Sequence, residues 1–351
     1  MASLVERPAS ATLAARAMML LPGAAPAYST RRGAVYQGDS LNLLRAMPDD
    51  SVNLVVTSPP YALEFKKEYG NEPQARYVEW FRPFAKEVRR VLRTDGSFVV
   101  NIGGAWQKGH PTRSLYHFHL LLDLVDNVGF FLAQEIYWHN PAKMPTPAEW
   151  VNVQRIRVKD SVEPCWWLSK TERPKASNTN VLVPYSDDML RLIDRGFRAK
   201  KRPSGHLAKA TWRKDLGGAI PGNVLTMGNN DSNGRYIAML TERGLKVHPA
   251  RFPVQLPEWF IRFLTDPGDV VLDIFGGSMT TGWAAERLNR AWLGFELSAE
   301  YVEASRLRFY DEDHLLSDAD LGSANQVVGN GHSNGRTAPS RAGAVPRSDR
   351  G

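Results

Sequence analysis

The 351-residue chain is 43% hydrophobic and 23% charged, with a net charge of +7 and a single cysteine, Cys165. That composition suits a folded protein with one large domain and a smaller one, and it excludes a disordered chain. One cysteine excludes an internal disulfide framework or a cysteine-based zinc site, and no uncharged apolar run nears the roughly 18 residues needed to span a bilayer.

Residues 1–33 read as a flexible leader. Ala25-Pro26-Ala27 bears a faint likeness to a signal-peptide cleavage site, but Arg16 interrupts the apolar stretch and Glu6 stands where a basic segment belongs. A reducing cytoplasm is therefore the expected location. From Val35 onward, short apolar runs alternate with helical spacing. Residues 41–47 form a helix that Asp39 can cap, 52–56 a buried strand, and 77–92 an amphipathic helix ending at a turn over 94–96. A strand over 97–102, a helix over 115–128 closed by Gly129, and a strand over 130–138 follow. After an apolar helical stretch at 256–264 the rhythm resumes with strand 270–275, helix 280–288, strand 291–295 and helix 298–309. This alternation predicts an α/β fold with a largely parallel sheet.

Between 140 and 248 the pattern breaks into Pro, Gly, Asn and basic residues, with one strand-like piece at 165–168. The expected organisation is a first catalytic part over 34–140, an inserted domain over 141–246, a second catalytic part over 247–316 and a disordered Gly/Ser/Asn-rich tail over 317–351. Between 141 and 250 there are 19 Lys and Arg against 10 Asp and Glu. Eight cations without an acid cluster in Arg195, Arg198, Lys200, Lys201, Arg202, Lys209, Arg213 and Lys214. A charge run is usually a solvated face; a polyanionic partner becomes the better explanation when other signals agree.

Two motifs supply those signals. Thr57-Ser58-Pro59-Pro60-Tyr61 follows the buried strand directly. Two prolines fix the backbone and remove two N–H donors, while Ser58 adds a hydroxyl and Tyr61 a flat ring at the carboxyl end of a strand, where α/β enzymes place ligands. The second motif runs from Val271 through Asp273, Phe275, Gly276, Gly277, Ser278, Thr280 and Gly282. A strand enters a Gly-rich turn and then a helix, so backbone and helix N–H groups can approach a ligand. Glu296 ends the next strand 19 residues past Gly277 (296 − 277), about the spacing at which an acid meets ribose hydroxyls in doubly wound folds.

Ser58-Pro59-Pro60-Tyr61 resembles the catalytic loop of amino-methylating DNA methyltransferases, whose pattern is Asp/Asn/Ser-Pro-Pro-Tyr/Phe, and its serine form resembles the N4-cytosine members. Val271 to Gly282 resembles their S-adenosylmethionine loop, with Ile274 and Met279 replacing a proline and a glycine of the commoner form. His248-Pro249-Ala250-Arg251-Phe252-Pro253 is similar to the segment that closes over the methionine end of the cofactor, and Tyr36-Gln37-Gly38-Asp39 to the start of these enzymes. Catalytic loop before cofactor loop, with a basic insert between, resembles the permuted β group over about 35–310.

The resemblance implies a doubly wound, mostly parallel, Rossmann-like methyltransferase sheet with an inserted target-recognition domain. It implies S-adenosylmethionine as cofactor, held by Asp39, Phe252, Asp273, Phe275, Gly276, Gly277, Ser278, Thr280 and Glu296. Catalysis falls to Ser58, Pro59, Pro60 and Tyr61 on a base flipped out of double-stranded DNA and stacked on Tyr61. Hydrogen bonds to the Ser58 hydroxyl and Pro59 carbonyl would expose the amino lone pair, with neither a metal nor a covalent enzyme intermediate. N4 of cytosine is the expected target and N6 of adenine the alternative; functional pairing with a restriction endonuclease is compatible with either. Pro164-Cys165 superficially resembles the nucleophile of carbon-5 cytosine enzymes, but packing is the expected role of that cysteine. Packing is likewise expected of Trp138, Trp166, Trp167 and Trp212.

Overall fold

The computed structural model describes residues 13–63, 72–195, 215–229 and 234–310. Among these, nine strands form one sheet: β1 (Tyr28–Ser29), β2 (Gly33–Gln37), β3 (Val52–Thr57), β4 (Leu92–Asn101), β5 (Phe131–His139), β6 (Val162–Ser169), β7 (Val224–Thr226), β8 (Val270–Asp273) and β9 (Ala291–Glu296). The α-helices are α1 (Leu13–Met18), α2 (Ser40–Ala46), α3 (Tyr77–Val91), α4 (Tyr116–Asp126), α5 (Asp187–Arg195), α6 (Gly234–Glu242), α7 (Gln255–Leu264), α8 (Thr280–Arg287) and α9 (Ala299–Arg306).

The strand order is β1-β2-β9-β8-β3-β4-β6-β5-β7. The five strands from β2 to β4 run parallel, β1 and β6 are antiparallel to their neighbours, and β7 is parallel to β5. Parallel strands are covered on both faces, which is why β3 and β8 read as largely apolar runs, broken only by Asn53 within β3 and ended by the polar Thr57 and Asp273. Alternate residues serve two core layers. Val52 and Val55 face a layer built with α1 to α4, whereas Leu54 and Val56 face one built with α7 to α9. The doubly wound, mostly parallel architecture matches the expectation.

Three local expectations change. The stretch 13–33 is not a loose leader: α1 and β1 pack on the sheet, with Ala17, Leu21 and Tyr28 buried. The turn expected at 94–96 lies inside β4, where the register against β3 jumps from Val52↔Leu92 to Leu54↔Ser97. The extra residues loop out as an irregularity without ending the strand. Finally, 165–168 belongs to β6, which sits in the main sheet between β4 and β5. Its polar flanks made it look like part of an insert. Its side chains alternate between the core layers, Trp166 and Leu168 into one, Cys165 and Trp167 into the other. Of the four tryptophans expected to pack, Trp138, Trp166 and Trp167 are buried; Trp212 lies outside the described residues.

Candidate active site

The topology switches direction at β3. The chain leaves β3 and returns through α3 to β4 on one side, while β8 pairs on the other. Open α/β sheets bind ligands in the crevice beyond the strand ends at such a point. Here that crevice is a cleft of about 430 Å³, lined by all four residues of the Ser58-Pro59-Pro60-Tyr61 loop and all nine expected cofactor residues.

One buried carboxylate joins the two loops. Asp273, at the end of β8, accepts from Thr57 Oγ1 at 2.7 Å, from Thr281 Oγ1 at 2.7 Å and from the Phe275 N–H at 3.1 Å. Burial pushes its acidity down, and these donors act in the opposite direction. Although Asp273 lines the cleft, its oxygens are engaged by protein groups, so it ties β3 to the Gly-rich turn.

Around that tie, each element contributes one feature. Asp39 caps α2 by accepting the Asn42 N–H at 3.0 Å and also lines the cleft. Glu296 Oε2 accepts the Gly277 N–H and Oε1 the Ser298 N–H, both at 2.8 Å. The Leu297 N–H also acts on this carboxylate, so at most three of its roughly four acceptor sites are used, which leaves capacity for a ligand hydroxyl. Burial holds Glu296 above the usual carboxylate range. Phe275 closes one wall in a cluster with Trp80 and Phe84, centroids 5.9 and 5.3 Å away. Gly277 is left-handed (φ 50°), and a Cβ there would meet the His248 ring at 3.2 Å. Phe252 and Thr280 line the same cleft, with Thr280 Oγ1 3.1 Å from Ser278 Oγ.

Met279 does not narrow the cleft. Its side chain is fully buried and turned into the core between Gly276 and Gly294, where a Cβ would come within 2.4 Å of its Cε or Sδ. The glycines at 276 and 294 make room for this methionine.

At the other loop, the Pro60 carbonyl accepts from Tyr77 Oη at 2.8 Å. Tyr61 lies against Gly103, where a Cβ would be 2.6 Å from the ring, so only glycine fits there without displacing it. The phenol donates to Glu163 Oε2 at 2.8 Å, with Asn101 Oδ1 at 3.1 Å. Burial, and then the Glu163 charge, raise the Tyr61 hydroxyl well above its ordinary range, so it stays protonated. Cys165 is buried beside Asn101 Nδ2, and burial pushes its thiol up. A protonated, enclosed thiol is a poor nucleophile, in keeping with packing.

Several contributors escaped the motif reading. Lys143 and Glu163 pair at 2.5 Å in the cleft wall. Glu163 is the lone acid beside the apolar run of β6, and that isolation was the available signal. Arg308 is buried, stacked over Tyr236 at 4.1 Å, and grips the Ser278 carbonyl and hydroxyl from behind the turn. Desolvation lowers it to about 10. Arg251 lines the cleft and has no acidic partner among the described residues. Of the eight expected DNA-contacting cations, Arg195 is exposed at the end of α5. Arg198, Lys200, Lys201, Arg202, Lys209, Arg213 and Lys214 lie outside the described residues.

A cleft at the switch point of a doubly wound sheet, with a proline-fixed loop facing a Gly-rich turn, defines an enzyme of the methyltransferase class. The chain belongs to the N6/N4 DNA methylase family, whose pattern matches residues 52–307. It is 55% identical over 298 residues to the type II methyltransferase M.PvuII of Proteus hauseri, covering 84% of this chain and 89% of that one. It is 29% identical over 274 residues to M.BglII of Bacillus subtilis, covering 77% and 66% respectively. Among solved structures, a PvuII DNA methyltransferase described as cytosine-N4-specific superposes with a TM-score of 0.71 at 48% identity, covering 88% of this chain and 97% of that one.

Proposed function

We propose that this protein transfers a methyl group from S-adenosylmethionine to N4 of a cytosine flipped out of double-stranded DNA. It does so at a defined sequence in the cytoplasm, in functional pairing with a restriction endonuclease. The observation that carries this is the shared cleft: the Ser-Pro-Pro-Tyr loop and the Gly-rich turn open onto one space, tied together through Asp273. The serine form of the loop and the activity described for the PvuII enzyme favour cytosine over adenine.

The residues fit the cofactor. Glu296 has free acceptor capacity for ribose hydroxyls, Phe275 with Trp80 and Phe84 offers an aromatic wall for a purine, and Asp39 stands exposed at the rim. Arg251 supplies a cation suited to the methionine carboxylate. When bound, S-adenosylmethionine brings a methyl group already activated by its sulfonium. What remains for the protein is positioning. The Ser58 hydroxyl and Pro59 carbonyl accept from the target amino group and pull its lone pair out of conjugation, while the Tyr61 ring supports the extruded base. The basic run at 195–214 grips phosphates, and target recognition falls within 141–246, outside the sheet strands β6 and β7.

Nucleoside mass spectrometry of DNA treated with enzyme and cofactor tests the assignment. N4-methylcytosine is expected. N6-methyladenine alone would move the target base, and 5-methylcytosine would overturn the mechanism.

A further inference from the structure

Glu163 belongs to neither motif, yet it faces the catalytic loop across a continuous line of polar contacts. The Ser58 hydroxyl lies 3.4 Å from the Tyr61 hydroxyl, donating toward it. Tyr61 in turn donates to Glu163 Oε2 at 2.8 Å. Lys143 Nζ donates to the other carboxylate oxygen at 2.5 Å. Glu163 is 14% exposed and Lys143 29%, so the line begins at the reacting loop and ends within reach of water.

We propose that Ser58, Tyr61 and Glu163 form the exit path for the proton that the target amino group must lose, with Glu163 as the positioning residue at its end. This rests on the amino-methylation reading above. As the nitrogen lone pair forms the new C–N bond, the C–S bond breaks and its electrons go to sulfur. The nitrogen is left with a positive charge and one hydrogen too many. That proton passes to Ser58 Oγ, the Ser58 proton to the Tyr61 oxygen, and the Tyr61 proton to the Glu163 carboxylate, which releases it to water. Each hydroxyl ends as it began, and one proton leaves.

The chemistry of the groups agrees with the direction. An amino group that has spent its lone pair on a new bond is a strong acid, so even a carboxylate held by Lys143 can accept from it. Tyr61 does not ionise on its own, because burial and the neighbouring Glu163 hold its proton in place. It therefore acts by receiving one proton as it gives up another. The other titratable groups that sense Glu163 are Tyr116 and Cys165, and burial keeps both protonated. Among the described residues, Glu163 is thus the one proton acceptor on this path. Asn101 Oδ1, at 3.1 Å from the phenol, can orient the ring but cannot take a proton.

The test is single-turnover methylation of a cytosine-containing duplex by wild type, Glu163→Gln, Tyr61→Phe and the double variant, over a pH series, with cofactor affinity measured by calorimetry. Each single variant should be slower by about 10²-fold, the scale of one proton-transfer contribution, with cofactor affinity unchanged. The double variant should be no slower than the worse single one, since both cut the same path. The deficit should narrow as pH rises and hydroxide replaces the path. A Glu163→Gln enzyme as fast as wild type, multiplying losses in the double variant, or a deficit indifferent to pH would each overturn the proposal. If circular dichroism shows Glu163→Gln unfolded, the Tyr61→Phe pH series decides alone. A wild-type protein that leaves DNA unmethylated would instead overturn the reading beneath it, and the path with it.

Discussion

Single residues in this protein divide by what their polar atoms already hold. Asp273 and Glu296 both line the cleft, but the former is consumed by Thr57, Thr281 and the Phe275 N–H while the latter retains open acceptor sites. Glu296→Ala should therefore weaken cofactor binding by about 1.5–3 kcal/mol, the worth of hydrogen bonds to a charged acceptor. Calorimetry checks this, and equal affinities would remove the ribose assignment. His117 makes a different prediction. It is buried on α4, its Nδ1 has no hydrogen-bond partner among the described residues, and burial with the nearby Arg113 charge pushes it from 6.5 down to about 4. The unfolded chain binds this proton near 6.5 and the folded one only near 4, so unfolding takes up a proton in that interval. Stability contributed by the neutral ring is full above pH 6.5 and is lost as pH falls toward 4. The expected loss is on the order of 2–3 kcal/mol. Urea melts of wild type and His117→Phe at pH 7.5 and pH 5 should show a shallower dependence in the variant.

Among the elements, the Gly-rich turn shows how a departure from a pattern is accommodated. Met279 is left-handed (φ 54°) at the N-terminus of α8, a conformation that disfavours side chains by about 1–2 kcal/mol. Its side chain nevertheless fills the space above Gly276 and Gly294. Deleting a buried methionine side chain costs about 2–5 kcal/mol, which exceeds the strain relieved. Met279→Gly should therefore destabilise the protein by a net of roughly 1–3 kcal/mol and loosen the turn, despite restoring the commoner residue. Thermal melts with and without cofactor check both effects; a more stable variant would show that backbone strain outweighs packing. Arg308 is bound to the same turn, since its guanidinium holds the Ser278 carbonyl and hydroxyl from the core side.

For the whole molecule, the sheet places the cleft, and net charge is concentrated in one stretch of the sequence. The +7 charge resides chiefly in the stretch between 141 and 250, with 19 cations against 10 acids. If the 195–214 run grips phosphates, the Lys200/Lys201/Arg202 triple alanine variant should weaken binding to every duplex sequence. It should also flatten the salt dependence by about 0.9 in log–log slope per lost contact. A salt titration of DNA binding measures this, and an unchanged slope would identify the run as solvated surface.

The sequence alone was enough for what is encoded locally. The strands 52–56 and 291–295, the helices around 77–92 and 115–128, and both ligand-facing loops were legible because periodicity, prolines and glycines act on their immediate neighbours. So was the order of the two loops, which placed the chain in a permuted family before any contact was known. Only the tertiary structure could decide the rest, because it depends on residues far apart in the chain. Val162–Ser169 enters the main sheet through pairing with both β4 and β5, which no local pattern announces. The stretch 13–33 is ordered by packing on strands β2 and β9. Thr57 meets Asp273 across 216 positions, and Tyr61 meets Glu163 across 102. Those contacts determine which carboxylate ties the fold, which one remains open to a ligand, and which one stands where a proton can leave.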